Sequence, residues 1–157
     1  MRQLPILLSA ALLASPALPV SAADDSVARR LDALGVKYEV DSDGDYKSTY
    51  SYSKEQRTQL VFVRGKTEEI RGVRVREVFA PAGRVAADRI DGARALKLLA
   101  DSGTNKLGAW EIHGDTLFYV VKFIDNDDAK LLELAMDVTA ETADDMEIEL
   151  SGDRDDL

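Results

Sequence analysis

The residues predict an α+β fold: one antiparallel β-sheet of five to six strands with about three helices packed mainly on one face. Three observations lead there. Segments that alternate apolar and polar residues are joined by short turns, as around His113-Gly114-Asp115, and hairpin connections make neighbouring strands antiparallel. Stretches with helical spacing of apolar residues stand before, between and after those segments, in the order α-βββ(β)-α-ββ-α. The chain of 157 residues has no cysteine, so packing rather than disulfides must hold the fold together.

The first helix has Asp24 or Ser26 as its cap, carries Val27, Leu31 and Leu34 on one face and stops at Gly35. Residues 36–40 alternate as a half-buried strand, and Asp41-Ser42-Asp43-Gly44-Asp45 reads as a turn. Residues 46–52 follow as a strand with Tyr46, Tyr50 and Tyr52 on one face, and we place Leu60 and Phe62 at the same parity. Residues 59–63 are apolar on both faces, which makes them a central strand. After a turn at Gly65-Lys66, residues 70–79 form a strand. Gly72 and the phase change at Glu77-Val78-Phe79 indicate bulges, and Pro81 and Gly83 close this part of the sheet.

Asp91 is the expected cap of a helix through Leu96 and Leu99 that ends near Gly103. Residues 106–112 and 116–124 make a hairpin. Asp127 or Asp128 then caps a long helix whose inner stripe is Leu131, Leu132, Ala135, Val138, Thr142 and Met146, reaching Leu150 before Gly152. One domain spans 24–151, and 152–157 is an acidic, frayed tail.

The start of the chain has the pattern of a cleaved signal peptide over residues 1–23. Arg2 gives a positive start, residues 4–14 are apolar, Pro16 and Pro19 break any helix, and Val20-Ser21-Ala22 offers small residues for cleavage. The apolar run is too short to cross a bilayer of about 30 Å. The expected destination is the periplasm or the exterior, with no membrane attachment after cleavage.

Charge is uneven. Removal of Arg2 leaves 19 basic and 29 acidic residues, a net of −10; residues 57–94 sum to +4 and residues 95–157 to −11. So acidic a protein does not gather phosphate, which excludes nucleic acid as a partner. The positive middle reads as a solvated strand face that offsets the acidic last helix.

No catalytic, cofactor or metal constellation stands out. Asp41, Asp43 and Asp45 have the opening spacing of a calcium loop, but Tyr46 and Tyr52 occupy the sixth and twelfth places. Asp125, Asp127 and Asp128 suit a helix cap. His113 is the sole histidine and there is no cysteine, which argues against zinc coordination and against most Ser/His or Cys/His chemistry. Glu111, two residues away, lies on the same strand face and within reach of it. Trp110 reads as a core anchor.

Two segments carry a resemblance. Leu34-Gly35-Val36-Lys37-Tyr38-Glu39-Val40-Asp41 leads into an acidic turn, and Lys106-Leu107-Gly108-Ala109-Trp110-Glu111-Ile112-His113-Gly114-Asp115 leads into an apolar strand and a long acidic helix. Over residues 26–150 this layout resembles the YbjN family, described as bacterial sensory transduction regulators. The resemblance implies a fold like that of type III secretion chaperones and a non-enzymatic module, often dimeric, that binds other proteins. It implies no functional residues.

The candidate protein-binding residues are therefore read from the chain itself: Tyr46, Tyr50 and Tyr52, with Arg74 and Arg76. Tyrosine suits interfaces because its body is apolar and its tip polar. The strip lies in the core if the helices cover it, and forms a binding or dimerisation surface if they cover the opposite face. The expected function is an exported, non-enzymatic module that binds a protein partner or a second copy of itself. A small envelope hydrolase using carboxylates and a small-ligand carrier are the alternatives. Mass spectrometry of the protein from its own cells should find Ala23 or Asp24 at the N-terminus; a soluble form that keeps Met1 would refute the signal peptide.

Overall fold

The computed structural model describes residues 25–53, 56–152, 155 and 157. The expected signal peptide, Asp24 as a cap, and Asp153, Arg154 and Asp156 of the expected tail lie outside the described residues. The elements are α1 (Asp25–Leu34), β1 (Glu39–Val40), β2 (Tyr46–Tyr52), β3 (Arg57–Val63), β4 (Glu68–Ile70), β5 (Val73–Arg84), α2 (Gly92–Ser102), β6 (Ala109–His113), β7 (Thr116–Ile124) and α3 (Ala129–Ser151). The fold is α+β, with a single seven-stranded antiparallel sheet ordered β1-β2-β3-β5-β7-β6, and β4 paired to β5 off that path.

The strand count exceeds expectation because residues 68–84 contain a hairpin rather than one bulged strand. Ile70 pairs with Val73, and the two residues between them, Arg71 and Gly72, both have positive φ, 53° and 82°. That is the twist a two-residue hairpin requires. Strand β5 also continues through Pro81 to Arg84 instead of closing there. It pairs with β3 only at Phe79 and Val78, so no β3 ladder needs the missing Pro81 N–H. Gln59 Nε2 donates instead to the Pro81 carbonyl at 2.8 Å. Of the strand expected at 36–40 only two residues pair, because Val36 N–H is committed to the Leu31 carbonyl that ends α1.

The helix ends follow elementary capping chemistry. Asp91 and Asp128 accept from the backbone N–H of Arg94 and Lys130 and start α2 and α3. The helices lie on one face of the sheet. Val27 and Leu31 of α1, Leu98 of α2, and Leu132, Ala135, Met136, Ala140 and Ala143 of α3 pack on Val61, Val63, Val78, Ala80, Leu117, Tyr119 and Val121. Among the described residues, no helix is long and apolar enough to cross a membrane.

The inner stripe of α3 is turned from the expected one. Its buried residues are Leu132, Ala135, Met136, Thr139, Ala140, Ala143, Asp144 and Glu147. The two acids are inside because Arg57 of β3 is buried beneath them: its Nε donates to Asp144 Oδ1 at 2.9 Å and its Nη2 to Glu147 Oε2 at 2.8 Å. Glu133, Asp137, Glu141, Asp145 and Glu149, four residues apart, form an exposed acidic stripe on the far side.

A second buried ion network ties α1 to the sheet. Arg76 of β5 is fully buried and Arg30 of α1 nearly so. Both point at Asp125, the residue after β7: Arg30 Nη1 donates to Oδ1 at 2.9 Å, and Arg76 Nε to Oδ2 at 2.8 Å. Arg76 Nη1 also donates to the Arg64 carbonyl at 2.7 Å, and Arg30 Nε to the Ser26 carbonyl at 3.1 Å. The positive middle of the sequence is thus partly interior, since Arg57 and Arg76 are core groups rather than a solvated face.

Burial pushes the Asp125 carboxyl pKa up, but the hydrogen bond and charge of Arg76, with the charge of Arg30, outweigh it and hold the pKa below the carboxylate value. A folded pKa below the unfolded one means stabilisation that is complete above the ordinary carboxylate range and lost as pH falls through the folded pKa. Asp125→Asn should leave two arginines facing a neutral group and cost roughly 3–5 kcal/mol at neutral pH. Urea unfolding from neutral to acidic pH should show that deficit shrinking toward acid. A neutral-pH loss below about 1 kcal/mol would mean the network does not hold α1.

Candidate functional site

The alternation of strand side chains and the strand register assign every sheet residue to the helix-covered face or the open face. Tyr46 sits opposite Val63, Ser48 opposite Val61, Tyr50 opposite Gln59 and Tyr52 opposite Arg57. The tyrosine strip therefore shares a face with the core valines, under α3. Leu60 and Phe62 lie on the other face, contrary to the expectation that they share the tyrosines' parity.

The candidate residues separate accordingly. Tyr46 is buried and its ring meets Tyr38 edge-on, centroids 5.3 Å apart. Arg76 is buried on Asp125. Neither lies on a surface. Tyr50 and Tyr52 are half-buried at the α3 margin, where Tyr50 Oη donates to Asp137 Oδ1 at 2.9 Å. Burial, then Asp137, raises the Tyr50 hydroxyl pKa; burial, then Asp144 and the other α3 acids, pushes that of Tyr52 up to about 12. Arg74 is exposed and donates to Asp127 Oδ2 at 2.7 Å. The five candidates form no common surface.

The open face carries what the sequence reading missed. Phe62 and Phe79, paired across β3 and β5, stack with centroids 5.1 Å apart, and Phe79 meets Phe118 of β7 edge-on at 5.8 Å. Arg64 lies over the Phe79 ring with its Cζ 4.6 Å from the centroid. Val75 and Ile124, directly paired, and Ile70 and Val73 extend the apolar surface toward the β4 hairpin. Ile124 is 65% exposed and Ile70 52%. The signal was present in the sequence only as parity: Phe62, Phe79 and Phe118 each have the phase opposite to the helix-covered residues of their strands, and only the register shows which phase the helices cover.

A chain of alternating charge crosses this face. Asp45 and Arg64 are 2.9 Å apart, Arg64 and Glu77 3.5 Å, Glu77 and Lys122 3.6 Å, Lys122 and Glu111 2.6 Å, and Glu111 and His113 3.0 Å. The Glu111 carboxyl is pushed up by partial burial, yet Lys122 and then His113 leave it below its ordinary value. The hydrogen bond to Glu111 raises the Lys122 ammonium. At one end of the chain Asp45, itself buried, also accepts from Gly65 N–H at 2.9 Å. Gly65 has to be glycine, because a Cβ there would fall 1.8 Å from the Gly44 carbonyl oxygen. Beside the belt is a cleft of about 550 Å³ lined by Arg64, Lys66, Glu68, Ile70, Glu77 and Lys122, among others.

The other motifs are local structure. Asp41 Oδ1 accepts from the N–H groups of Asp43 and Asp45, both at 2.9 Å, closing the acidic turn around Gly44 at φ 85°. Trp110 packs edge-on against Tyr119 at 4.8 Å, and its Nε1 donates to Asp101 Oδ2 at 2.7 Å. Among the described residues, no group of three or more His, Asp or Glu is placed to hold a metal ion. No protein-family model matches the chain, and no curated protein matches it.

The two half-buried tyrosines provide a direct check on the covered face. Tyr52 Oη is buried without a hydrogen-bond partner among the described residues, so Tyr52→Phe removes an unpaired polar group and should leave stability unchanged or raise it by up to about 1 kcal/mol. Tyr50→Phe removes the bond to Asp137 and should cost about 0.5–1.5 kcal/mol. Thermal unfolding of the two variants in parallel distinguishes them, and equal losses would contradict this placement of the strip.

Proposed function

We propose that this chain is an exported, non-enzymatic, YbjN-like module that binds a protein partner on the open face of its sheet. The single observation that carries the reading is the aromatic surface formed by Phe62, Phe79 and Phe118 on the face without helices, crossed by a belt of paired charges. Contiguous apolar surface rimmed by polar groups marks interaction sites on soluble proteins, and aromatic residues with arginine are the side chains enriched in interface centres. The charged groups suit recognition rather than proton transfer: Glu77 lies between Arg64 and Lys122, and Glu111 beside Lys122, so each carboxylate already has a cation next to it. The cleft beside the belt favours the small-ligand carrier as a second reading, with an apolar floor of Ile70 and Val75.

Site-specific photocrosslinking tests the docking face. A benzophenone amino acid at Phe79 or Phe62 should give a discrete protein adduct in cells that make the chain. The same probe at Glu141, exposed on α3, should give none. Absence of any adduct from Phe79 and Phe62, with the protein folded, would refute the reading.

A further inference from the structure

We infer that the cleft beside the charge belt binds a small zwitterion with an apolar side chain, the chemistry shared by a free aliphatic amino acid and a short aliphatic peptide. This rests on the second reading above, of a small-ligand carrier, and names the class of ligand. The cleft has a structural origin. Strand β3 stops pairing with β5 at Val63 and Val78, and β4 resumes the pairing at Glu68 and Val75. Residues 64–67 therefore stand opposite only Arg76 and Glu77. The surplus chain opens the sheet locally, as bulges beside functional sites do. The resulting cleft of about 550 Å³ lies within the range of small-ligand sites, roughly 300–1,000 Å³.

The surplus segment is anchored from within the protein. The Arg64 carbonyl accepts from Nη1 of buried Arg76 at 2.7 Å, and the Gly65 N–H donates to buried Asp45 at 2.9 Å. Gly65 also lies too close to the Gly44 carbonyl for any Cβ. The wall of the cleft is thus held by buried groups, and a ligand binds without first having to order a loop.

The charges of the lining select the ligand. Arg64 bonds to Asp45 at 2.9 Å and Lys122 to Glu111 at 2.6 Å, whereas Glu77 stands 3.5 Å from Arg64 and 3.6 Å from Lys122. Charge-assisted hydrogen bonds are about 2.7–2.9 Å long. Each cation is therefore bonded to its outer carboxylate, and Glu77 is left between them with no donor at that length. Of this group of two cations and three carboxylates, Glu77 is the acid that lines the cleft. Glu68 lines it too, is exposed, and among the described residues its side chain has no hydrogen-bond or ion-pair partner. These two carboxylates suit an ammonium group. Lys66 lines the same cleft, equally exposed and equally without a side-chain partner among the described residues, and suits a carboxylate. Ile70, 52% exposed, and Val75 supply the apolar floor. An anion alone would leave Glu68 and Glu77 unmatched, and a cation alone would leave Lys66. A ligand with both charges and an aliphatic group answers every part of the lining.

Nuclear magnetic resonance titration of the isotope-labelled full chain is the test. Leucine, dileucine and trileucine should shift the amides of residues 64–68 and 75–77, the tightest of them with a Kd below about 1 mM. Which of the three is tightest tells amino acid from peptide. Isocaproate (leucine without its ammonium), isoamylamine (leucine without its carboxylate) and diglycine should each bind about tenfold more weakly or worse. Lys66→Gln and Glu68→Gln alter exposed side chains that no neighbour holds, so the fold is kept, and each should weaken the tightest ligand by roughly threefold to tenfold. Glu77→Gln should weaken it about tenfold, while Glu141→Gln, exposed on α3, should leave it unchanged. If isocaproate or isoamylamine binds as tightly as leucine, or if Lys66→Gln and Glu77→Gln both have no effect, the zwitterion is wrong and a carrier of another ligand still stands. If no probe shifts the cleft at millimolar concentration, the zwitterion and the small-ligand reading built on the apolar floor fall together.

Discussion

Asp125 is the point on which the arrangement of layers depends. It follows the last residue of β7, receives Arg76 from the middle of β5 and Arg30 from α1, and has no exposed side-chain surface. Charge in a low-dielectric interior is costly unless it is neutralised and hydrogen-bonded, so none of the three groups can be placed elsewhere independently. Apolar packing alone tolerates rotation of a helix over a sheet; this network does not. The Arg57 cluster repeats the device on α3, where Asp144 and Glu147 fix which side of an otherwise acidic helix turns inward.

With the helices committed to one face, the other face must be stabilised by its own side chains. Cross-strand pairs are the unit of that stabilisation. Phe62 stacks on Phe79, Phe79 meets Phe118, and the charges of four strands link into a chain. A sheet face fully adapted to water would carry threonine, serine and lysine in those central rows. Lys47, Thr49 and Thr58 near the β2 edge show that pattern. The aromatic centre departs from it, and that contrast within one face locates the surface of interest.

Much of the architecture was legible because it rests on local chemistry. Asp91 and Asp128 as caps, Gly35 as a stop, the turn around Gly44 and the hairpin at Gly114-Asp115 all follow from short-range rules and stand where the residues indicate. The aromatic open face was not legible, because the face of a strand is decided by its partners. The phase of Tyr46, Tyr50 and Tyr52 is plain within β2, but whether Val63 or Phe62 lies beside them depends on register with β3, and on which phase α3 covers. A shift of one residue exchanges the two faces. The interior arginines escaped for a related reason: Arg57 and Arg76 are recognisable as buried only once Asp144, Glu147 and Asp125, each dozens of residues away, are seen to meet them.

That separation in sequence has a temporal consequence. Arg30 must wait for a partner 95 residues downstream, and Arg57 for partners 87 and 90 residues downstream. While the chain is being synthesised, its first half holds arginines whose carboxylates have yet to appear and valine strands that α3 has yet to cover. Closure of the domain is therefore deferred until β7 and α3 have emerged, and the long-range contacts then form together.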